Sequence, residues 1–128
     1  MVTMTAYLGW LNVVLLSVSL LPLLLRRYGK LTQKNPSKRL NAALRFLSKI
    51  HPCIGITLAI TGFLHGYRAL GVIRLHTGFV TWFLVLILFG IGIWGKLSKN
   101  SYWLTLHRAV ALLLVFSLLL HIFARNII

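Results

Sequence analysis

The sequence predicts an all-α membrane protein, a bundle of four transmembrane helices with a short amphipathic interfacial helix between the first and the second. Hydrophobic residues make up 59% of the 128-residue chain, too much for a soluble domain of this size, which needs a polar shell around its core. The apolar residues also cluster in four runs, each close to the ~20 residues with which a helix crosses a bilayer. Helices suit lipid because they satisfy their backbone N–H and C=O groups internally.

The four runs define the expected spans, and we expect residues 1–128 to form a single integral membrane domain. The predicted helices cover about residues 6–25, 49–69, 75–96 and 102–125. The connections GYRALGVIRL and GKLSKNSY are short, so successive helices must be antiparallel. The second and fourth helices therefore run in the same direction.

The segment NPSKRLNAALRFLSK separates the first two spans. Its apolar residues recur at helical spacing and its cations occupy the other faces, which predicts an interfacial helix with its cations on anionic headgroups. A plain basic connector is the alternative, because the stripe lasts only about two turns. Ser48 is a candidate cap for the second span, leaving Pro52 in its first turn, and Asn100 and Ser101 are candidate caps for the fourth.

The charge of the chain is one-sided, with fourteen Lys and Arg residues and no Asp or Glu. The cations lie in the connections between apolar runs, which argues against a nucleic-acid partner. Eleven fall on one side of the predicted bundle, namely Arg26, Arg27, Lys30, Lys34, Lys38, Arg39, Arg45, Lys49, Lys96, Lys99 and Arg108. By the positive-inside rule this side is cytoplasmic and both termini lie outside, in what we expect to be a bacterial cytoplasmic membrane.

Two segments of equal length begin and end with histidine. HPCIGITLAITGFLH runs from His51 to His65, and HRAVALLLVFSLLLH runs from His107 to His121. Fourteen helical steps cover roughly 21 Å and return a side chain to within about 40° of the same face. Because the two helices are parallel, His51 is expected to meet His107 near the cytoplasmic side, and His65 to meet His121 near the outer side.

Two stacked imidazole pairs inside a membrane indicate a cofactor, since polar side chains within a span are costly and tend to mark function. Zinc or copper would want more ligands close together, often with cysteine or carboxylate. Haem iron takes one ligand on each face of a flat ring, which two facing helices can supply. We therefore predict two non-covalent haem b groups, with His51 and His107 on the inner iron and His65 and His121 on the outer. The single cysteine, Cys53, is expected to be a small packing residue, and without a CxxCH motif no covalent haem is expected.

Small residues and cations complete the predicted haem sites. Residues without a large side chain would leave room for porphyrin edges, although ordinary helix packing is the alternative; they are Gly55, Gly62, Gly78, Gly92 and Ala111. Cations near the span ends could pair with the haem propionates or extend to lipid headgroups; they are Arg45, Arg68, Arg74, Arg108 and Arg125.

His76 is the fifth histidine and opens the third span near the outer level. It could bond a propionate, line a quinone or substrate pocket together with Arg74, or sit at the membrane interface, where span ends tolerate polar groups. It is also the rival ligand if one of the other four histidines does not bind iron.

The paired His-x13-His motifs, on two helices separated by one, resemble the four-helix haem core of cytochrome b in quinol–cytochrome c reductases. They are also similar to the transmembrane domain of ferric reductases and NADPH oxidases. The resemblance covers the second to fourth spans. It implies electron transfer across the membrane through two b haems, with axial ligands and haem-facing glycines that are here His51, His65, His107, His121, Gly78 and Gly92.

Three functions remain open from the sequence. We expect transmembrane electron transfer, as a subunit or partner of a membrane redox system in lipid, with an acidic redox protein or partner subunits on the basic cytoplasmic face. The second is a stand-alone membrane oxidoreductase that acts on quinone, a ferric chelate or an oxygen species at the outer face. The third is a haem-free metal transporter or membrane anchor.

Overall fold

The computed structural model describes residues 2–32, 37–72 and 75–124, and every regular element in these ranges is a helix. The helices are α1 (Val2–Thr32), α2 (Lys38–Leu70), α3 (Thr77–Leu97) and α4 (Tyr102–Phe123). Each of the four is long and apolar enough to cross a membrane. The prediction of an all-α protein with four spans is therefore confirmed.

The amphipathic segment before the second span is helical, but it is not a separate helix. It forms the first turns of α2, which continues without a break through Pro52. The cap is Ser37, whose side-chain oxygen accepts from the backbone N–H of Leu40 at 3.2 Å. The prediction that Ser48 caps the span is wrong. Pro52 instead lies inside α2, where it cannot donate the helical hydrogen bond to the Ser48 carbonyl.

The chain divides into two compact units, Met1–Leu58 and Ala59–Ile128. In the first, Gly29 near the end of α1 lies against Leu40 at the start of α2, since a Cβ atom built at Gly29 would be 2.9 Å from Leu40 Cδ2. The missing side chain allows this close approach. Cys53 is exposed on α2 rather than packed among other side chains, so the expectation of a packing role is wrong.

In the second unit α3 and α4 form an antiparallel hairpin, as the short connection predicts. Three cross-helix contacts fix its register, joining Thr77 to His121, Thr81 to Ser117, and Gly95 to Trp103. From one pair to the next, each step forward along α3 is matched by an equal step back along α4, as expected for antiparallel helices with the same rise per residue. Leu114, only 1% exposed, is the most buried large side chain of this unit.

The part of α2 from Ala59 onward packs against α3 through Trp82. The indole Nε1–H of Trp82 donates to the Ala59 carbonyl at 2.9 Å, and the ring centre of Phe63 lies 5.6 Å from that of Trp82. A Cβ atom built at Gly62 would be 3.1 Å from Trp82 Cδ1. The smallness of Gly62 thus admits the indole, which is the ordinary packing that the sequence left open as an alternative.

The connection between α3 and α4 carries one of the two predicted caps. The Asn100 side-chain oxygen accepts from the backbone N–H of Tyr102 at 3.0 Å, which confirms Asn100. Ser101 occupies the N-cap position of α4 but makes no side-chain cap hydrogen bond in the part of the chain that the structure describes.

Candidate functional site

Three histidines of the second unit lie together at one end of the α3–α4 hairpin. The ring centres of His65 on α2 and His121 on α4 are 6.4 Å apart, with their planes at 88°. His76, immediately before α3, has its ring centre 6.2 Å from that of His121, with planes at 15°. The structure therefore brings together the two histidines predicted for the outer level and adds the rival ligand beside them.

The distance between His65 and His121 suits a shared metal ion. Two imidazoles that bind one ion from opposite sides have ring centres about 6 Å apart, because each metal–nitrogen bond is about 2 Å and the ring centre lies about 1 Å behind the nitrogen. The observed 6.4 Å is close to this value. Within the described ranges, no three histidine or cysteine side chains are grouped so that they could hold a metal ion by themselves.

His121 has a hydrogen-bond partner on the neighbouring helix. Its Nδ1 atom lies 3.0 Å from the Oγ1 atom of Thr77, the first residue of α3. If the proton is on Nδ1, His121 donates to the hydroxyl and carries its lone pair on Nε2, the nitrogen that can then bind a metal. Metal-binding histidines commonly use their second ring nitrogen in this way. Thr77 was not among the site residues predicted from the sequence.

A second hydroxyl pair lies one helical turn deeper. Thr81 Oγ1 and Ser117 Oγ are 2.8 Å apart, and Thr81 Oγ1 also donates to the Thr77 carbonyl at 2.9 Å. Because a threonine hydroxyl has only one proton, Ser117 must be the donor to Thr81. Ser117 is a buried polar residue. The signal that could have revealed both hydroxyls is their four-residue spacing from Thr77 and His121.

His76 caps α3, a role that the sequence reasoning did not consider. Its Nδ1 atom accepts from the backbone N–H groups of Gly78 at 2.8 Å and Phe79 at 3.2 Å. A neutral imidazole has only one nitrogen with a lone pair, and His76 uses it for this cap. The proton must then be on Nε2, which makes His76 a hydrogen-bond donor there and disfavours it as an iron ligand.

The glycines predicted to face haem fall into two groups. At Gly78 a built Cβ atom would lie 2.7 Å from His76 Cε1 and 2.8 Å from His121 Cε1, so the missing side chain lets both imidazoles lie against the backbone of α3. At Gly55 and Gly92, no atom of the described residues comes within 4 Å of a built Cβ. Ala111 is half-buried on α4. Only Gly55 and Gly92 thus have open space where a cofactor edge was predicted.

The predicted inner ligands belong to different units, His51 to the first and His107 to the second. The Nδ1 atom of each is shielded from solvent. The ring centre of Trp103, one turn before His107 on α4, is 6.2 Å from that of His107. The pairing of His51 with His107 stays a prediction from the sequence.

The predicted propionate partners are all cations near helix ends. Arg45, Arg68 and Arg108 are exposed, which is compatible either with a propionate or with lipid headgroups. Arg74 and Arg125 lie outside the described residues. Their pairing with propionates, and the role of Arg74 beside His76 in a quinone or substrate pocket, stay predictions.

No family model, curated protein or solved structure matches the chain. The chemistry open to the site is therefore inferred from its own side chains. These are two imidazoles at the spacing of a metal-ligand pair, a hydroxyl bonded to one of them, and a third imidazole whose acceptor nitrogen is used to cap a helix.

Proposed function

We propose that this protein is a b-type membrane cytochrome that transfers electrons across the bilayer through two haems. His65 and His121 are the ligands of the outer iron. His51 and His107, paired by the equal spacing of the two histidine motifs, are the ligands of the inner iron. The observation that carries the proposal is the 6.4 Å between the ring centres of His65 and His121.

The available donor atoms support haem rather than a bare metal ion. The chain contains no carboxylate side chain, and its single cysteine is exposed on α2. Two neutral imidazoles alone leave most positions around a metal ion unfilled, whereas a porphyrin supplies four equatorial nitrogens and needs only axial ligands. Haem propionates would also bring negative charge to a chain whose formal net charge is +14.

When bound, haem supplies one-electron chemistry at its iron. The contribution of the chain is to hold and insulate the site. If His121 donates its Nδ1–H to the Thr77 hydroxyl, Nε2 keeps the lone pair that can bind the iron.

The charge distribution gives the proposed site an orientation and a partner. Eleven of the fourteen cations belong to the side that the positive-inside rule assigns to the cytoplasm, so His65 and His121 lie near the outer face and both termini lie outside. An acidic redox protein or acidic subunit docks on the basic cytoplasmic face. Attraction between opposite charges speeds that encounter, and salt slows it.

A second function, oxidation or reduction of a quinone at the outer face, is favoured by the tautomer of His76. Its cap hydrogen bonds leave the proton on Nε2, and its ring centre is only 6.2 Å from that of His121. A quinone carbonyl could accept that proton in a hydrogen bond beside the outer haem. If this function is correct, a quinol reduces the purified protein without any other protein present, and replacing His76 with Asn slows that reduction.

Haem quantification per chain, with a reduced-minus-oxidised spectrum, tests the main proposal. The wild type is expected to carry two haem b groups, and His65→Ala and His121→Ala are each expected to carry one. The matched control is His76→Asn, which removes the neighbouring imidazole but keeps a side chain that can cap α3, and it should retain both haems.

A colourless wild-type protein would overturn the proposal and leave the haem-free transporter or anchor. Loss of one haem in His76→Asn, with both retained in His65→Ala, would show that His76 rather than His65 binds the outer iron.

A further inference from the structure

We infer that Thr77 is a positioning residue for the outer haem, an inference that rests on the haem-binding function proposed above. Its hydroxyl accepts the Nδ1 proton of His121 and so holds that imidazole in the tautomer whose Nε2 binds iron. The observation is the 3.0 Å distance between Thr77 Oγ1 and His121 Nδ1, which joins residues 44 positions apart in the sequence.

The direction of this hydrogen bond decides whether His121 can be a ligand. If Thr77 donated its hydroxyl proton to Nδ1, the ring proton would be on Nε2, and Nε2 would have no lone pair for a metal. If His121 donates Nδ1–H to Thr77, the lone pair is on Nε2. Iron binding at Nε2 and acceptance by Thr77 therefore occur together.

Three consecutive residues, His76, Thr77 and Gly78, each contact the His121 imidazole, and we call them the HTG cradle. Thr77 binds Nδ1, and His76 lies nearly parallel to the ring with 6.2 Å between ring centres. Gly78 leaves the room that the ring fills, because a Cβ there would be 2.8 Å from His121 Cε1. The cradle is itself fixed, since His76 caps the helix that Thr77 begins.

The chain offers a matched control one turn away. Thr81 and Ser117 form a second hydroxyl contact between α3 and α4, at 2.8 Å. Its chemistry resembles that of Thr77, and it joins the same two helices, but its partner is not an imidazole. Removing the Thr81 hydroxyl therefore perturbs the helix pair without touching the hydrogen bond to His121.

Loss of the Thr77 hydroxyl has an electronic consequence that loss of packing does not. A group that accepts the second ring proton of a ligand histidine makes the imidazole a stronger donor to the metal. A stronger donor stabilises the oxidised iron, so removing the acceptor should raise the reduction potential of the outer haem. It should also weaken metal-site affinity, for which loss of such a partner typically costs about 10–100-fold.

The test compares Thr77→Val, Thr77→Ser and Thr81→Val in the full chain. We expect Thr77→Val to raise the midpoint potential of the outer haem and to weaken its retention about tenfold or more, measured by redox titration and haem release. Thr77→Ser keeps a hydroxyl and should restore both values. Thr81→Val should leave the potential unchanged. An equal shift in Thr77→Val and Thr81→Val would overturn the inference, because it would reveal a packing effect.

A measurement on the haem-free chain covers the case in which Thr77→Val loses the outer haem altogether. The ¹⁵N shifts of the His121 ring report which nitrogen carries the proton. We expect the Nδ1–H form to dominate in the wild type and a mixture of both forms in Thr77→Val; identical tautomer populations would overturn the inference.

The two proposals fail in different ways. If His121→Ala keeps both haems, the proposed function is wrong. If His121→Ala loses the outer haem and Thr77→Val keeps the wild-type potential, the function stands and the role of Thr77 is wrong.

Discussion

Gly95 of α3 lies directly against the indole ring of Trp103 of α4, so closely that any side chain at position 95 would collide with the ring. This contact lies near the connected end of the hairpin, and the HTG cradle and His121 lie near the other end. The two ends of the α3–α4 hairpin are therefore held by different means, packing at one and hydrogen bonding at the other.

Replacing Gly95 with leucine should destabilise the hairpin by about 1–3 kcal/mol, the usual cost of forcing extra atoms into a packed contact. The measurement is reversible unfolding in detergent. The control is Gly90→Leu on the same helix, because Gly90 is exposed and no atom of the described residues lies within 4 Å of a built Cβ there. Equal loss of stability in both variants would contradict the packing role of Gly95.

Replacing His76 with alanine should destabilise the start of α3, because the backbone N–H groups of Gly78 and Phe79 lose their acceptor. Loss of an N-cap side chain typically costs about 1 kcal/mol. His76→Asn should keep most of this stability, since asparagine is a good cap. Hydrogen exchange at the first turn of α3 distinguishes the two variants, and faster exchange in His76→Asn than in His76→Ala would disprove the capping role.

The proposed orientation predicts which connections a membrane-impermeant thiol reagent can reach in intact cells. In a Cys53→Ala background, Val72→Cys between α2 and α3 should be labelled from outside. Lys99→Cys between α3 and α4 should be labelled only after the membrane is opened. Both native side chains are exposed, so accessibility within the protein is comparable. The reverse labelling pattern would mean that both termini are cytoplasmic.

The number and class of helices could be predicted because four apolar runs of membrane-spanning length leave few other folds. The start of α2 could not be predicted from the sequence. An amphipathic stripe and a transmembrane run share the same 3.6-residue period, so nothing in the pattern reveals whether they are joined. Ser48 followed by Pro52 resembled a helix start, but α2 tolerates the proline inside it.

The proximity of His65 and His121 followed from their equal spacing with His51 and His107, because fourteen residues nearly complete four helical turns. The cap formed by His76 was missed since serine, threonine, asparagine and aspartate are the residues expected at that position. Thr77 was missed for a different reason: its partner lies 44 residues away, and identifying it requires the register of the hairpin and not merely its direction.

The four-residue connection from Ser98 to Ser101 has to be compatible with the register that the cross-helix contacts fix. Sliding α4 by one residue against α3 would shift its side chains by about 1.5 Å and turn them by about 100°, and His121 would face a different residue. This four-residue connection lies about 28 Å from His121 along α4, yet its length has to suit the hydrogen bond between His121 and Thr77. The length of the connection therefore has to allow the one register in which the imidazole meets the Thr77 hydroxyl.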